Sequence, residues 1–489
     1  MFDTIKAVRT LHRVGYSADE ARKTAEMILS PAADTLVLDH DFFRNAPDGV
    51  GTAIAKILPS SKARKLVIAA ERKSRFDVTP LLTAGLRQKM GKPSFSVQYG
   101  ISEIFKALPQ TGITELAVCD TKLGSRAYRD LSSVLPKTGI ECLRFDNCDF
   151  GDAIHSGGIA EAIGKSRLKI LELPNDHLLS GHMSAFVNRL GREATAGPER
   201  LNLSGNSLHS AEAGKMWKEL FARMPGLKSL DVSRMFFGDP AGLEALARSL
   251  PAAKNLTDMD IGRAALDDAG APRLFDVLPQ TNLLRLNLAG NNLRDASAEK
   301  LAEVLATPGC RIYETHFTDS IGKVENSLRE HERNPASAAA AAKVAVAEKR
   351  NAERHRVRRE QEEARRTYAA PEDAAGFADD TLLFTAAKAG KIADVIALKP
   401  LSAADYARKD DAGKPLLVHI AEAGTLDAVF KPELWKNPAD MQKTWDMVPD
   451  KFKKQMDGKE GRPSFARNKN RVMAAAVRTA VSVRNGTNR

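Results

Sequence analysis

Hydrophobic positions recur along the chain in a pattern that is clearest in the eleven residues 283–293. Leucine occupies positions 1, 4, 6 and 11 of this stretch: Leu283, Leu286, Leu288 and Leu293. Alternating apolar residues predict a short strand with one buried face, and Asn291 at position 9 suits a turn whose backbone amides its side chain can satisfy. Apolar residues at helical spacing follow in 294–306. The predicted unit is therefore one strand followed by one helix.

The same pattern recurs through two-thirds of the chain with a period of about 28 residues. Position 4 falls at intervals of 21 to 30 residues on Leu36, Leu66, Phe95, Leu116, Leu143, Leu171, Leu201, Leu230, Met259, Leu286 and Tyr313. Position 6 carries a side chain that can be buried in every case. We therefore predict about 11 repeats over residues 33–334, with the weakest at Phe95.

Position 9 carries the residues that would hold one turn to the next. Asn206, Asn291 and Cys148 fill it, whereas Glu71, Gly100, Met235 and Ala264 depart from it. The pattern resembles the ribonuclease-inhibitor-like class of leucine-rich repeats. That resemblance implies an α/β solenoid shaped as a horseshoe, with parallel strands on the concave side and helices on the convex side. Strands stack about 4.8 Å apart and helices about 10 Å apart, which explains the curvature.

Side chains that alternate with the buried leucines should line the concave surface, where a partner would bind. At position 5 the first four are small or apolar: Val37, Val67, Ser96 and Ala117. The candidate protein-binding residues are polar: Glu172, Asn202, Asp231, Asp258, Asp260, Asn287 and Glu314. One interpretation is a docking surface on which the acids steer a basic or mixed-charge protein segment. The other is a solvated face whose acids are neutralised by Arg200, Arg234, Arg263 and Arg285.

The segments that flank the repeats read as helical. Residues 1–32 predict a helical cap, with a capping box at Ser17 and Glu20, and 321–333 predict a closing cap helix. Residues 335–372 predict a long, charged and mostly exposed helix that acts as a linker. A sustained apolar seam, which a coiled coil needs, is missing from it.

A second internal repeat lies further along. Residues 382–390 and 416–424 superpose with an offset of 34, and each ends in glycine. This resembles ankyrin repeats and implies a small all-α ankyrin-like domain over 373–458, closed by an end cap that includes Trp435 and Trp445. His419 is expected in its core or groove, not as a ligand. Residues 459–489 form a basic tail.

Charge is concentrated outside the predicted globular parts. The formal net charge is +11, of which residues 343–366 hold +4 and residues 459–489 hold +7. The remainder is neutral, so the basic face that a nucleic-acid-binding fold would need is not predicted. Association with nucleic acid or anionic lipid through the two basic segments stays as an alternative.

Few sequence motifs indicate catalysis or cofactor binding. Gly164-Lys165-Ser166 lacks the earlier glycine of a phosphate-binding loop, and no HExxH is present. Residues 311–489 contain no cysteine, which excludes a thiol-dependent ubiquitin ligase there. We predict no catalytic, cofactor or metal-ligating residues, and four reduced cysteines.

The sequence thus predicts a non-enzymatic protein-interaction scaffold. A second hypothesis is an adaptor that recruits a separate enzyme, such as a ubiquitin ligase. The sequence shows no transmembrane run and no signal peptide, which favours a cytoplasmic protein. Its composition and paired modules favour a bacterial origin, and one hypothesis is delivery into a host cell as an effector.

Overall fold

A computed structural model describes most of the chain. It covers residues 2–32, 34–39, 42–43, 46–69, 95–156, 158–190, 197–208, 213–237, 240–317, 337–368, 380–398, 401–430, 434–435 and 438–457. The chain divides into two compact units, Met1–Ala352 and Glu353–Arg489. The predicted cap helix at 321–333 and the basic tail lie outside the described residues.

The first unit opens with two helices, α1 (Phe2–Arg13) and α2 (Ala18–Leu29). Ser17 and Glu20 form the predicted capping box at the start of α2. Buried residues of both helices, among them Leu11 and Ile28, belong to the same hydrophobic core as the first strand. These helices therefore cover the end of the repeat stack.

Nine strands follow. They are β1 (Thr35–Asp39), β2 (Lys65–Ala69), β3 (Glu115–Cys119), β4 (Cys142–Asp146), β5 (Ile170–Glu172), β6 (Arg200–Asn202), β7 (Ser229–Asp231), β8 (Asp258–Asp260) and β9 (Arg285–Asn287). They form one sheet in sequential order, and every neighbouring pair is parallel. The position-4 residues are in register throughout, as in Leu201 with Leu230. The predicted solenoid with a parallel sheet is confirmed at this level.

Helices connect the strands. They are α3 (Val50–Ile57), α4 (Phe95–Ala107), α5 (Ser125–Val134), α6 (Phe150–Ser156), α7 (Ile159–Gly164), α8 (Ser180–Arg189), α9 (Ala213–Arg223), α10 (Pro240–Ser249), α11 (Ala271–Phe275) and α12 (Asp295–Ala306). Helices of adjacent repeats pack on one another along the stack. Position-4 and position-6 side chains such as Leu171 and Leu173 are fully buried in one continuous core. Each repeat therefore buries its apolar face only when its neighbours are present.

The prediction of a strand at Phe95 is wrong. Residues 95–107 are helix α4, and β2 pairs directly with β3, so one long repeat replaces two shorter ones. Buried Ile101, Ile104 and Phe105 have the three- and four-residue spacing of a helix. Ser96 therefore lies on a helix, away from the sheet.

The last predicted strand is shifted. An isolated bridge joins Glu314 to Arg285, whereas the template placed Glu314 beside Asn287. Thr315 and Phe317 are buried and Tyr313 is only half-buried. The core residues of this repeat therefore lie two positions later than the sequence predicted.

Helix α13 (Ala338–Thr367) covers 30 residues without a break. Most residues in its first half are exposed, but Ala340, Val344 and Ala347 on one face are buried in the core of the first unit. Asn351 Nδ2 donates to the carbonyl oxygens of Leu305, at 2.9 Å, and Ile312, at 2.8 Å. This half of α13 covers the last repeat, the role expected of a terminal cap.

The described part of the second unit is helical. Its helices are α14 (Asp380–Lys388), α15 (Ile392–Leu398), α16 (Ala403–Ala407), α17 (Leu416–Glu422), α18 (Leu426–Val429), α19 (Pro438–Asp446) and α20 (Asp450–Asp457). Gly390 and Gly424 join the two similar pairs, and both have left-handed φ angles, 71° and 73°. Trp435 and Trp445 lie in the same core as Phe430. None of the helices described in either unit has the length and apolar character to cross a membrane.

Candidate interaction surface

We call the outward side chains at positions 3 and 5 of β1–β9 the strand face. The parallel register places position 5 of each strand beside position 5 of the next, as in Asn202 with Asp231 and Asp231 with Asp260. The structure therefore brings Glu172, Asn202, Asp231, Asp260 and Asn287 together in one row. Asp258 lies at position 3, in register with Arg285.

Strand length changes along this face. Strands β1 to β4 have five residues each, whereas β5 to β9 have three. The change coincides with the residue at position 5, which is Val37, Val67, Ala117 or Arg144 in the long strands. In the last four strands it is asparagine or aspartate.

Those asparagines and aspartates bond to their own backbone. Each accepts a hydrogen bond through Oδ1 from the N–H two residues later, at 2.8 to 3.0 Å: Asn202 from Ser204, Asp231 from Ser233, Asp260 from Gly262 and Asn287 from Ala289. Such a bond offers the backbone an alternative to the sheet ladder. We infer that it ends these strands early and fixes the following turn.

The other candidate acids, on the strand face and at Glu314, also have polar partners. Glu172 accepts from Arg144 Nη1 at 2.8 Å, and Asp258 pairs with Arg285. Asp260 Oδ2 accepts from Asn287 Nδ2 at 2.8 Å, and Glu314 lies 2.9 Å from His316 Nε2. The acids are therefore largely engaged within the fold.

Asp231 is the most affected of these groups. Burial raises its pKa, and the neighbouring Asp260 adds to the rise, while the hydrogen bonds from Ser233 and the charge of Arg234 lower it. Burial, the largest of these effects, therefore disfavours the charged form of this carboxyl.

Arginines occupy a second, backbone-strained position. Position 8 of seven successive repeats has a left-handed φ between 45° and 72°, at Asp120, Asn147, Asn175, Gly205, Arg234, Arg263 and Gly290. Glycine and asparagine adopt this conformation readily, but for other residues it costs about 1 kcal/mol. A Cβ on Gly290 would lie 2.7 Å from Arg263 Cγ, so the glycine also leaves room for the arginine stem. From the sequence these arginines were expected only as counter-ions, although the glycines and asparagines at equivalent positions indicate the turn.

The residues at position 9, which we call the ladder residues, form hydrogen bonds between adjacent repeats. Asn206 Nδ2 donates to the carbonyl oxygens of Leu173, at 2.7 Å, and Leu203, at 2.8 Å, while its Oδ1 accepts from Leu178 N at 2.9 Å. Asn291 repeats this arrangement with Ile261 and Leu288. Cys148 Sγ donates to Val118 O at 3.2 Å. Buried backbone groups that would otherwise lack partners are satisfied in this way.

Asp176 occupies the same ladder position with a different result. Its Oδ1 accepts from Cys148 N, but its Oδ2 has no hydrogen-bond partner among the described residues. By the repeat register, Oδ2 takes the place that the donor Nδ2 has in Asn206. Burial raises the pKa of Asp176 well above its ordinary value, with a further rise from Asp146. Burial therefore favours the protonated, neutral form of this carboxyl in the fold.

Three of the four cysteine thiols are held in unreactive forms. Burial raises the pKa of the Cys142 thiol to about 11, and raises those of Cys148 and Cys310 as well. Such thiols are poor nucleophiles at neutral pH. The described ranges contain no group of three or more side chains placed to hold a metal ion.

His419 is buried in the second unit, where its Nε2 lies 2.8 Å from Asp410 Oδ2. Burial lowers its pKa, while the bond to Asp410 opposes that shift. Its ring also contacts Phe384 edge to face, with centroids 5.7 Å apart. It is a satisfied core residue.

No protein-family model and no curated protein matches the sequence. Among solved structures, a protein of Bacteroides fragilis is similar at 16% identity and a TM-score of 0.36, over 64% of this chain and 82% of that one. TLR13 in its complex with ssRNA13 is similar at 15% identity and a TM-score of 0.26, over 41% of this chain and 32% of that one. A chain in the yeast complex of Rad7 and Elc1 is similar at 14% identity and a TM-score of 0.26, over 58% of this chain and 75% of that one.

Proposed function

We propose that the protein is a non-enzymatic scaffold that binds other proteins through the strand face. The observation that supports this most is the register of the nine strands, which places position-3 and position-5 side chains in continuous rows. These rows are rigidly positioned because the leucines on the opposite side of each strand are fully buried. Such a surface suits an extended contact with another macromolecule.

We propose that the second unit is an ankyrin-like module with its own partner. Its two helix pairs, α14–α15 and α17–α18, stack pair on pair, and each pair turns at a glycine. The ion pair of Lys414 with Glu422, at 2.6 Å, and the bond of His419 to Asp410 hold the entry to the second pair. Two separate modules would allow one chain to hold two proteins.

A site-specific photo-crosslinking experiment tests the scaffold function. A photoreactive phenylalanine analogue replaces Ser229 on the strand face of the full chain, and a control replaces Lys215 on α9, whose side chain is 86% exposed. We expect cell extracts to give one defined protein adduct from position 229 and none from position 215, resolved by mass spectrometry. Equal adducts from both positions, or none from position 229, would contradict the proposal.

A further inference from the structure

We infer that the partner of the strand face presents acidic side chains, and that Arg234 and Arg263 receive them. This deepens the proposed function and rests on it. The sequence favoured the opposite sign, since it placed a row of acids on this face. The structure reverses the expectation because each of the aspartates has a hydrogen bond or ion pair, whereas the side chains of Arg234 and Arg263 have neither among the described residues.

The charged residues around β6 to β9 differ in whether their side chains have partners. Positions 3, 5 and 8 there carry four arginines against three aspartates: Arg200, Arg234, Arg263, Arg285, Asp231, Asp258 and Asp260. Each aspartate has at least one hydrogen bond or ion pair. Arg285 forms an ion pair with Asp258. In the described part of the chain, the exposed side chains of Arg200, Arg234 and Arg263 make no ion pair or hydrogen bond.

Arg234 and Arg263 are also neighbours. Arg234 N donates to Gly262 O and Arg263 N to Ala289 O, so the two residues have equivalent places on adjacent repeats. Adjacent repeats of a parallel sheet lie about 4.8 Å apart, which allows two guanidinium groups to share one carboxylate. Without an anion between them they repel one another.

Backbone strain supports a binding role. Both arginines hold left-handed φ angles, 57° and 53°, at a position that asparagine or glycine fills in four other repeats. An unfavourable residue at a strained position points to a requirement other than folding. Gly290 has no Cβ that would displace the aliphatic part of the Arg263 side chain. The Arg263 side chain can therefore lie against the next repeat.

The surroundings favour an acidic peptide over a nucleic acid. The aspartates between the arginines would repel a continuous line of phosphates, but they tolerate separate carboxylates placed on the cations. Phe236, two residues after Arg234, is 55% exposed and offers an apolar contact beside them. A peptide with both acidic and apolar side chains fits this surface.

The test uses the full chain and a matched pair of variants. Arg234→Asn with Arg263→Asn removes both cations and installs the residue already found at Asn147 and Asn175. Asp231→Asn with Asp260→Asn removes two acids and keeps the Oδ1 acceptors, as Asn202 and Asn287 show. The probes are a benzophenone-labelled glutamate-rich peptide, a lysine-rich peptide and a single-stranded RNA, at about 0.15 M salt.

We expect the glutamate-rich peptide to crosslink within residues 229–263. The yield should fall about tenfold in the arginine variant, which loses two charge-assisted bonds, and rise in the aspartate variant, which removes two negative charges that repel the peptide. The Tm of the arginine variant should be equal to that of the wild type or higher, which a merely structural role would not give.

Three results would overturn the inference. The first is an unchanged crosslinking yield in the arginine variant, and the second is crosslinks confined to other segments such as 343–366 or 459–489. The third is a different ligand: RNA that crosslinks only when the arginines are present, or the lysine-rich peptide that crosslinks only when the aspartates are present. If position 229 still captures a protein while the arginine test fails, the scaffold function stands and only the acidic partner is rejected.

Discussion

The first three strands and the last four strands of the sheet share one buried architecture but present different outward residues. Leu36 and Leu286 are equally buried at position 4. At position 5, however, Val37 is 46% exposed and leaves β1 five residues long, whereas Asn287 bonds to Ala289 N and β9 ends after three. The comparison teaches that the core side of a repeat fixes the register, while in β6 to β9 an outward asparagine or aspartate that bonds to its own backbone accompanies a shorter strand.

The strongest disruption of the later strands should come from the ladder. Asn206→Ala removes the donor to Leu173 O and Leu203 O and the acceptor for Leu178 N, all buried. We expect the free energy of unfolding to fall by about 4 kcal/mol, because several buried polar groups lose their partners at once. Chemical denaturation measures this change. A loss no larger than that of Asn202→Ala would show that the ladder adds little.

Asp176→Asn should have the opposite sign. The amide donates without taking up a proton, whereas the carboxyl of Asp176 must first be protonated to donate, and we expect a gain of about 2 kcal/mol at pH 7. Because the folded-state pKa of Asp176 is raised, the wild type binds an extra proton when folded and loses stability as the pH rises above about 4, the pKa of an unfolded aspartate.

Asparagine does not titrate, so the gain should be smallest near pH 4 and grow toward neutral pH. Denaturation of both proteins at several pH values measures the difference. A gain that is the same at every pH would mean that the carboxyl is not the cause.

The smallest expected effect concerns the difference in strand length between β1 and the later strands. Asn202→Val gives β6 the residue type of β1 and removes the acceptor of Ser204 N. We expect a loss of about 1 kcal/mol and slower, more protected amide exchange at residues 203–204 as the strand lengthens. Hydrogen exchange measured residue by residue provides the test, with Asn202→Asp, which keeps the acceptor, as the control. If both variants exchange alike, position 5 does not set strand length.

Much of the fold was determined by the sequence alone. Position-4 and position-6 leucines predicted the order and register of most strands, because alternating burial in a repeat depends on residues close together in the chain. Asn206 and Asn291 were recognisable from their place after each strand. The row of polar residues from Glu172 to Asn287 followed from the same template.

Other features were decided only by the tertiary structure. The segment around Phe95 fits both a strand and a helix locally, and a Cβ on Gly51 would meet Gly100 Cα at 2.1 Å, a close packing of α3 on α4 that no local pattern reveals. The pairing of Glu172, Asp258 and Asp260 depends on neighbours 27 or 28 residues away in the sequence. The sign of the proposed surface changed for that reason: sequence supplies the charges, and three-dimensional pairing decides which of them a partner meets.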